Sequence, residues 1–200
     1  IHRADAIAVL DELQRMAAML FPGHDHADPF WAEAARTGFI GVGAYVAASP
    51  PLPFTLGEIF RQLTEDDPRR RFPKAIEARR QAGDPLPAPC VSALNDFCTS
   101  SENTFASIRQ SITTRMGLWL NPRVDTATAA SDFDLRDLRK GGLSLYLGAT
   151  PDNMLRVQPL YSLLFQQLID LNSRTLPSPG DRPVLVLLDE FARLGPAPVL

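Results

Sequence analysis

The sequence predicts an α/β protein with a large all-α insertion, so that the chain is mainly helical. Three observations carry this. From about residue 28 to 121, apolar residues recur at spacings of three and four, the period of helices packed on a core. Two short aliphatic runs, Leu143–Leu147 and Val184–Leu188, are confined to the last part of the chain and suit buried strands. Between them lies a long leucine-rich helical stretch, from Pro151 to about Leu171, which makes a strand–helix–strand unit with parallel strands.

Each element has a local reason. Arg3–Leu20 is an amphipathic helix with the stripe Ile7, Leu10, Leu13, Ala17 and Leu20 and Met16 beside it, stopped by Pro22-Gly23. Asp28 suits the N-cap of a second helix, which Ser49-Pro50-Pro51 ends. That helix is the most apolar, but Glu33, Arg36 and three glycines mark it as a buried helix rather than a membrane span. Thr55 and Glu58 form a capping-box pattern that starts a helix at Leu56, ending near Leu63. A charged turn, Glu65–Arg71, precedes a short basic helix, Pro73–Gln81, closed by Gly83. Pro85, Pro87 and Pro89 form an extended link to the helix Val91–Cys98. Ser100 or Ser101 caps the next helix, whose stripe Phe105, Ile108, Ile112, Met116 and Trp119 is the clearest helical signal, and Asn121-Pro122 ends it. Ser131–Lys140 reads as a helical turn broken by Gly141-Gly142.

With 45% hydrophobic and 22% charged residues, the composition is that of a globular domain. A net charge of −3 excludes a chain-wide polycation built for nucleic acid, while leaving room for local basic patches. Cys90 and Cys98 lack metal-ligand spacing and fit a reducing compartment. No secretory leader pattern is visible, and the lack of an initial Met suggests a piece of a longer chain.

The segment with chemistry is Val184-Leu185-Val186-Leu187-Leu188-Asp189-Glu190. A parallel strand buried on both faces needs a continuous apolar run, and ligands bind at its carboxyl edge. There Asp189 can hold Mg²⁺ through its water shell, and Glu190 can orient or deprotonate the water that attacks a γ-phosphate. A core strand followed by two solvated acids has the same pattern.

The longer run Leu187-Leu188-Asp189-Glu190-Phe191-Ala192-Arg193-Leu194-Gly195 resembles the Walker B segment of the type IV secretion coupling proteins, the conjugative DNA-transfer ATPases. The resemblance extends upstream through Ser131-Asp132-Phe133, Asp137-Leu138, Gly141-Gly142, Leu145-Tyr146-Leu147 and Pro151 with its leucine-rich helix. Ser101-Glu102-Asn103-Thr104 and the helix to Trp119 stand where that family has the last part of its all-alpha domain. It is strongest from about 131 to 195 and loose from 22 to 100.

The resemblance implies a RecA-like P-loop ATPase using ATP and Mg²⁺, hexameric and anchored at the cytoplasmic face of the bacterial inner membrane. Such a motor delivers relaxase–DNA complexes or effector proteins to the type IV secretion channel. Its all-alpha domain, here roughly residues 28–121, recognises substrates; residues 1–27 and 122–200 belong to the nucleotide-binding domain. One departure stands out: there is no G-x-x-x-x-G-K-[ST] phosphate loop. The expectation is therefore that this chain alone binds no cofactor, does not turn over ATP, and is a monomer or weak dimer.

Arg69, Arg70, Arg71, Lys74, Arg79 and Arg80 place six positive charges within twelve residues, opposed there only by Glu77. They suit contact with DNA phosphates or an acidic secretion signal, and equally a solvated helix face balanced by Glu65, Asp66 and Asp67. Gly23-His24-Asp25-His26 offers metal donors without a partner cluster and reads as a polar loop. Arg193 suits a salt bridge or cap, or an arginine finger toward a neighbouring subunit. Two other readings stay open: a RecA-like ring DNA translocase, and a non-enzymatic helical adaptor in which Asp189-Glu190 is incidental.

Overall fold

The computed structural model describes residues 5–23 and 28–189, and these form eight α-helices and two 3-10 turns. The chain divides into two compact units, 1–130 and 131–200.

The first unit is built around one helix. Helix α1 (Ala6–Leu20) starts where the Asp5 carboxylate accepts the Ile7 N–H at 2.9 Å. Val9, Leu13, Met16, Ala17 and Leu20 form its buried face. Ile7, expected in that stripe, is 73% exposed. Two residues before Val9, it falls on the opposite side of the helix.

Helix α2 (Pro29–Ala47) has Pro29 at its start and Asp28 as its cap. Its three glycines face different neighbours. A Cβ on Gly38 would meet Phe97 and Ile112, one on Gly41 the backbone of Ala93 and Leu94, and one on Gly43 Leu13 and Ile59. Surrounded by other helices, α2 is apolar on most sides because most of its sides are interior. Among the described residues no helix is long and apolar enough to cross a membrane.

Helix α3 (Leu56–Thr64) forms half of the expected capping box. Thr55 Oγ1 accepts the Glu58 N–H at 3.1 Å, but the buried Glu58 carboxylate takes Arg61 and Gln62 instead of reaching back. Helix α4 (Pro68–Gln81) begins five residues before the position expected from sequence. Pro68 opens it, where a missing N–H costs nothing, and Pro73 is accommodated in its second turn.

Helix α5 (Ala88–Thr99) packs on α2. Helix α6 (Glu102–Arg115), capped by Ser101 at the Thr104 N–H, continues into the 3-10 turn Gly117–Leu120. The stripe Phe105, Ile108, Ile112, Met116 and Trp119 is buried throughout, as expected. A short helix that was not expected follows, α7 (Pro122–Ala127). Asn121-Pro122 ends the preceding run but also starts this one, with Asn121 Oδ1 accepting the Arg123 N–H at 3.0 Å.

The second unit contains the 3-10 turn Leu135–Leu138 and helix α8 (Met154–Ser173). They meet where Asn172 Nδ2 donates to the Leu135 carbonyl, and Leu135 and Leu163 are buried. Neither expected strand is formed: no strand occurs among the described residues. Residues 143–147 and 184–188 run without a ladder, and Tyr146, Leu185 and Leu187 are each at least 87% exposed. A parallel strand draws its backbone hydrogen bonds from neighbours, and none flanks these segments here.

Candidate functional site

Helix α4 carries all six basic residues of the Arg69–Arg80 run, and the fold sorts them into two sets. Arg69 turns inward, its Nη2 donating to the Ser100 carbonyl at 2.7 Å and its Nε to the Cys98 carbonyl at 3.3 Å. Both carbonyls lie at the C-terminal end of α5. Arg71 donates from Nη2 to the Gln62 carbonyl in the last turn of α3. Its guanidinium carbon lies 5.0 Å from the Phe72 ring centroid, and its buried Nε has no hydrogen-bond partner in the described structure. Arg79 Nη1 donates to the Ala48 carbonyl at the end of α2 at 3.2 Å, while its Nε and Nη2 hold the carbonyl and carboxylate of Asp84.

The three inward arginines thus bind carbonyls at the C-terminal ends of α5, α3 and α2. Such ends have carbonyls without intrahelical partners and a partial negative charge, so a guanidinium there satisfies both. Their spacing explains how one helix serves three others. Arg69, one turn before buried Phe72, and Arg71, directly before it, lie near the start of α4, and Arg79 lies near its end.

The second set faces solvent. Arg70 is exposed and lies 3.3 Å from Asp67. Arg80 pairs with Glu77 at 3.0 Å; hydrogen bonding from Arg80, and next from Gln81, holds the Glu77 carboxyl below its ordinary value. Lys74 is exposed and makes no ion pair or hydrogen bond among the described residues. Arg70, Lys74 and Arg80 therefore present exposed charge, balanced in part by two carboxylates, from a helix whose seat is fixed by the other three.

The end of the 184–188 run is partly described. Asp189 is exposed at the end of the 184–188 run. Glu190, Arg193, and the His24, Asp25 and His26 group lie outside the described residues. An exposed carboxylate fits Mg²⁺ in the way that ion is usually held, by one or two carboxylates together with phosphate oxygens and water. Among the described residues no group of three metal-ligating side chains exists. Cys90 and Cys98 are both buried and free of disulfides. Burial pushes the Cys90 thiol up to about 12 and the Cys98 thiol up to about 11.

Sequence reading missed the division of labour on α4, because charge density does not say which way a guanidinium turns. A signal was present: Arg69 stands one helical turn before Phe72 and Arg71 directly before it, so both stems start beside an apolar residue that must point inward.

An 81-residue stretch of the chain is 44% identical to Protein VirD4 of Agrobacterium fabrum, covering 40% of this chain and 12% of that protein. Protein VirD4 of Rhizobium radiobacter is 42% identical over a stretch of the same length. Conjugal transfer protein TraG of Escherichia coli is 24% identical over 205 residues, covering 94% of this chain and 32% of TraG. The chain therefore spans about a third or less of the length of these relatives. The family described as type IV secretory system conjugative DNA transfer matches residues 2–200, nearly the whole sequence, and the chain belongs to that family.

Proposed function

We propose that this chain is the substrate-recognition part of a type IV secretion coupling ATPase, and that it recruits relaxase–DNA complexes or effector proteins to the secretion channel. The observation that carries this reading is the exposed set Arg70, Lys74 and Arg80, displayed by a helix anchored through Arg69, Arg71 and Arg79. A rigid helix with exchangeable surface charge attracts an acidic partner and releases it readily, which suits cargo that must be handed on. Family membership supports this reading over an unrelated ring translocase or an isolated adaptor.

In the complete motor the two aliphatic segments 143–147 and 184–188 become strands of a RecA-like parallel sheet whose other strands lie elsewhere in the parent. ATP and Mg²⁺ would bind at its carboxyl edge. There Asp189 would hold the water shell of Mg²⁺, which would supply charge neutralisation at the phosphates, and Glu190 would orient the attacking water. The parent is a homo-hexamer anchored at the inner membrane, and this chain, lacking a phosphate loop, has no turnover by itself.

The test is binding of purified relaxase, with and without its DNA, and of acidic effector tails to the chain at several salt concentrations. A variant with Arg70, Lys74 and Arg80 all changed to Glu is run beside it. Binding that weakens with salt and is lost in the variant, with the helical signal unchanged, is the expected result. Equal binding by both chains moves the recognition surface off α4, and no binding of any cargo by the native chain overturns the recruitment role.

A further inference from the structure

Helix α7 is held to the first unit in an unusual way. None of its residues is buried, so it contributes no side chain to the core. Its attachments are polar and come from two directions. Arg61 of α3 donates from Nη1 to Asp125 Oδ2 at 2.6 Å, joining residues 64 apart in sequence. The pair is partly screened, at 36% and 28% side-chain exposure. Just past the helix, the Trp119 indole N–H donates to Thr128 Oγ1 at 3.0 Å, and the Thr128 hydroxyl donates back to the Val124 carbonyl at 2.9 Å.

The seat for this helix is prepared on α3. The Asp125 carboxylate lies directly over Gly57, where any Cβ would overlap Oδ1. Arg61 is oriented before it reaches Asp125: its Nε donates to Glu58 Oε2 at 2.9 Å, and Glu58 Oε1 accepts from Gln62 Nε2 at 2.7 Å. Hydrogen bonding to Glu58, opposed by partial desolvation and aided by Asp125, raises the Arg61 pKa further. The guanidinium is thus permanently charged and pre-aimed, while the only apolar surface α7 would uncover on leaving is that of half-buried Val124.

We infer that α7 is a releasable strap: it fastens onto α3 through Asp125 over Gly57 and onto the 3-10 turn after α6 through Thr128 at Trp119, and it detaches as a unit while the bundle around α2 stays folded. Elements with little buried apolar contact open locally at low free energy, whereas core helices open only with the whole domain. Here the boundary between the two regimes falls between Trp119, 4% exposed, and Pro122, the first residue of α7. The strap is also the last helix before residue 130, where the first compact unit ends. Fastened, it fixes the direction in which the chain leaves the helical unit. Released, it frees about ten residues of tether and uncovers the edge of the Trp119 indole.

The strap is tested in this chain carrying Trp31→Phe, which leaves Trp119 as the remaining one of the two tryptophans. Asp125→Asn removes the charge that meets Arg61 but keeps the side-chain shape. Thr128→Val removes the acceptor of the indole N–H. Gly57→Ala fills the seat from the α3 side. Amide exchange of 123–128 is expected to be roughly fivefold faster in Asp125→Asn, the size of effect a partly exposed ion pair supports. Exchange of 102–116 stays unchanged, and Trp119 emission becomes more quenchable by acrylamide in all three variants. Raising the salt concentration narrows the difference between Asp125→Asn and its parent. If 123–128 and 102–116 accelerate together, α7 belongs to the cooperative core and the strap is wrong. If the exchange of 123–128 is unmoved in both Asp125→Asn and Gly57→Ala, the fastening to α3 is wrong.

Discussion

Arg69 reaches across 31 residues of sequence to the Ser100 carbonyl, closing the C-terminal end of α5 at 2.7 Å. With Arg71 at Gln62 and Arg79 at Ala48, it makes α4 a brace across three helix ends. A basic run that looks like a single surface feature in sequence is therefore half scaffold.

The brace and the surface separate in a stability measurement. Arg69→Ala removes two charge-assisted bonds to terminal carbonyls, each worth about 1–2 kcal/mol when the partner is partly buried. It is expected to lower the melting temperature by several degrees, at about 2–4 °C per kcal/mol for a chain of this size. Arg79→Ala behaves alike. Arg70→Ala, whose pair with Asp67 is exposed, is expected to change stability by less than about 0.5 kcal/mol. Thermal unfolding followed by circular dichroism checks the ordering, and equal effects of Arg69→Ala and Arg70→Ala would refute it. This also decides how the cargo experiment is built, since Glu at 69 or 71 would disturb folding as well as charge.

A second prediction concerns the close approach of α2 and α5. A Cβ on Gly41 would stand 3.1 Å from the Ala93 carbonyl carbon and the Leu94 nitrogen. These are backbone atoms, which yield only if the whole helix moves. Replacing an interior helical glycine by alanine ordinarily gains about 1 kcal/mol from propensity. At Gly41 overpacking of about 1–3 kcal/mol outweighs that gain, and Gly41→Val costs more still. Gly117 is the control: a Cβ there meets nothing within 4 Å, so Gly117→Ala is expected to be neutral or stabilising. Urea midpoints for the three variants supply the check.

The elements read correctly from sequence are those in which one physical demand dominates. The α6 stripe from Phe105 to Trp119 must face a core, and its spacing of three and four permits one conformation. Helix α2, ringed by neighbours, declares itself by being apolar on most sides. What was not legible depends on partners. Residues 143–147 and 184–188 have strand composition, but a ladder requires neighbouring strands, and composition does not supply them. At Asn121-Pro122 one dipeptide both stops and starts a helix, so α7 was hidden behind the end of its predecessor. For the candidate site, charge density at Arg69–Arg80 was visible and its direction was not, because an arginine stem is long enough to turn either way. Asp189 was legible as an exposed carboxylate after an apolar run.

The buried thiols give a third prediction, with a definite pH window. The Cys90 thiol donates weakly to the Gly41 carbonyl at 3.7 Å and the Cys98 thiol to the Pro68 carbonyl at 3.9 Å, both in the interior. Burial favours the neutral thiol, which raises the folded values to about 12 and about 11 from an ordinary value of 9.0. The thiolate is the reactive form, so the folded chain should resist a thiol reagent such as DTNB at neutral pH and react at both cysteines once denatured. The sign of the linkage follows from the upward shift. The stabilisation is fully present below pH 9, and it is lost as pH rises from about 9 through about 11 for Cys98 and about 12 for Cys90. Replacing Cys90 by Ala removes its share of that alkaline loss, and leaves the Cys98 share, at the cost of a small cavity beside Gly41. The wild-type chain should therefore lose stability more steeply than Cys90→Ala between pH 9 and 11, measured as urea midpoints. Parallel slopes, or rapid native labelling at pH 7, would show that the interior between α2 and α5 is more open to solvent than the packing around Gly41 implies.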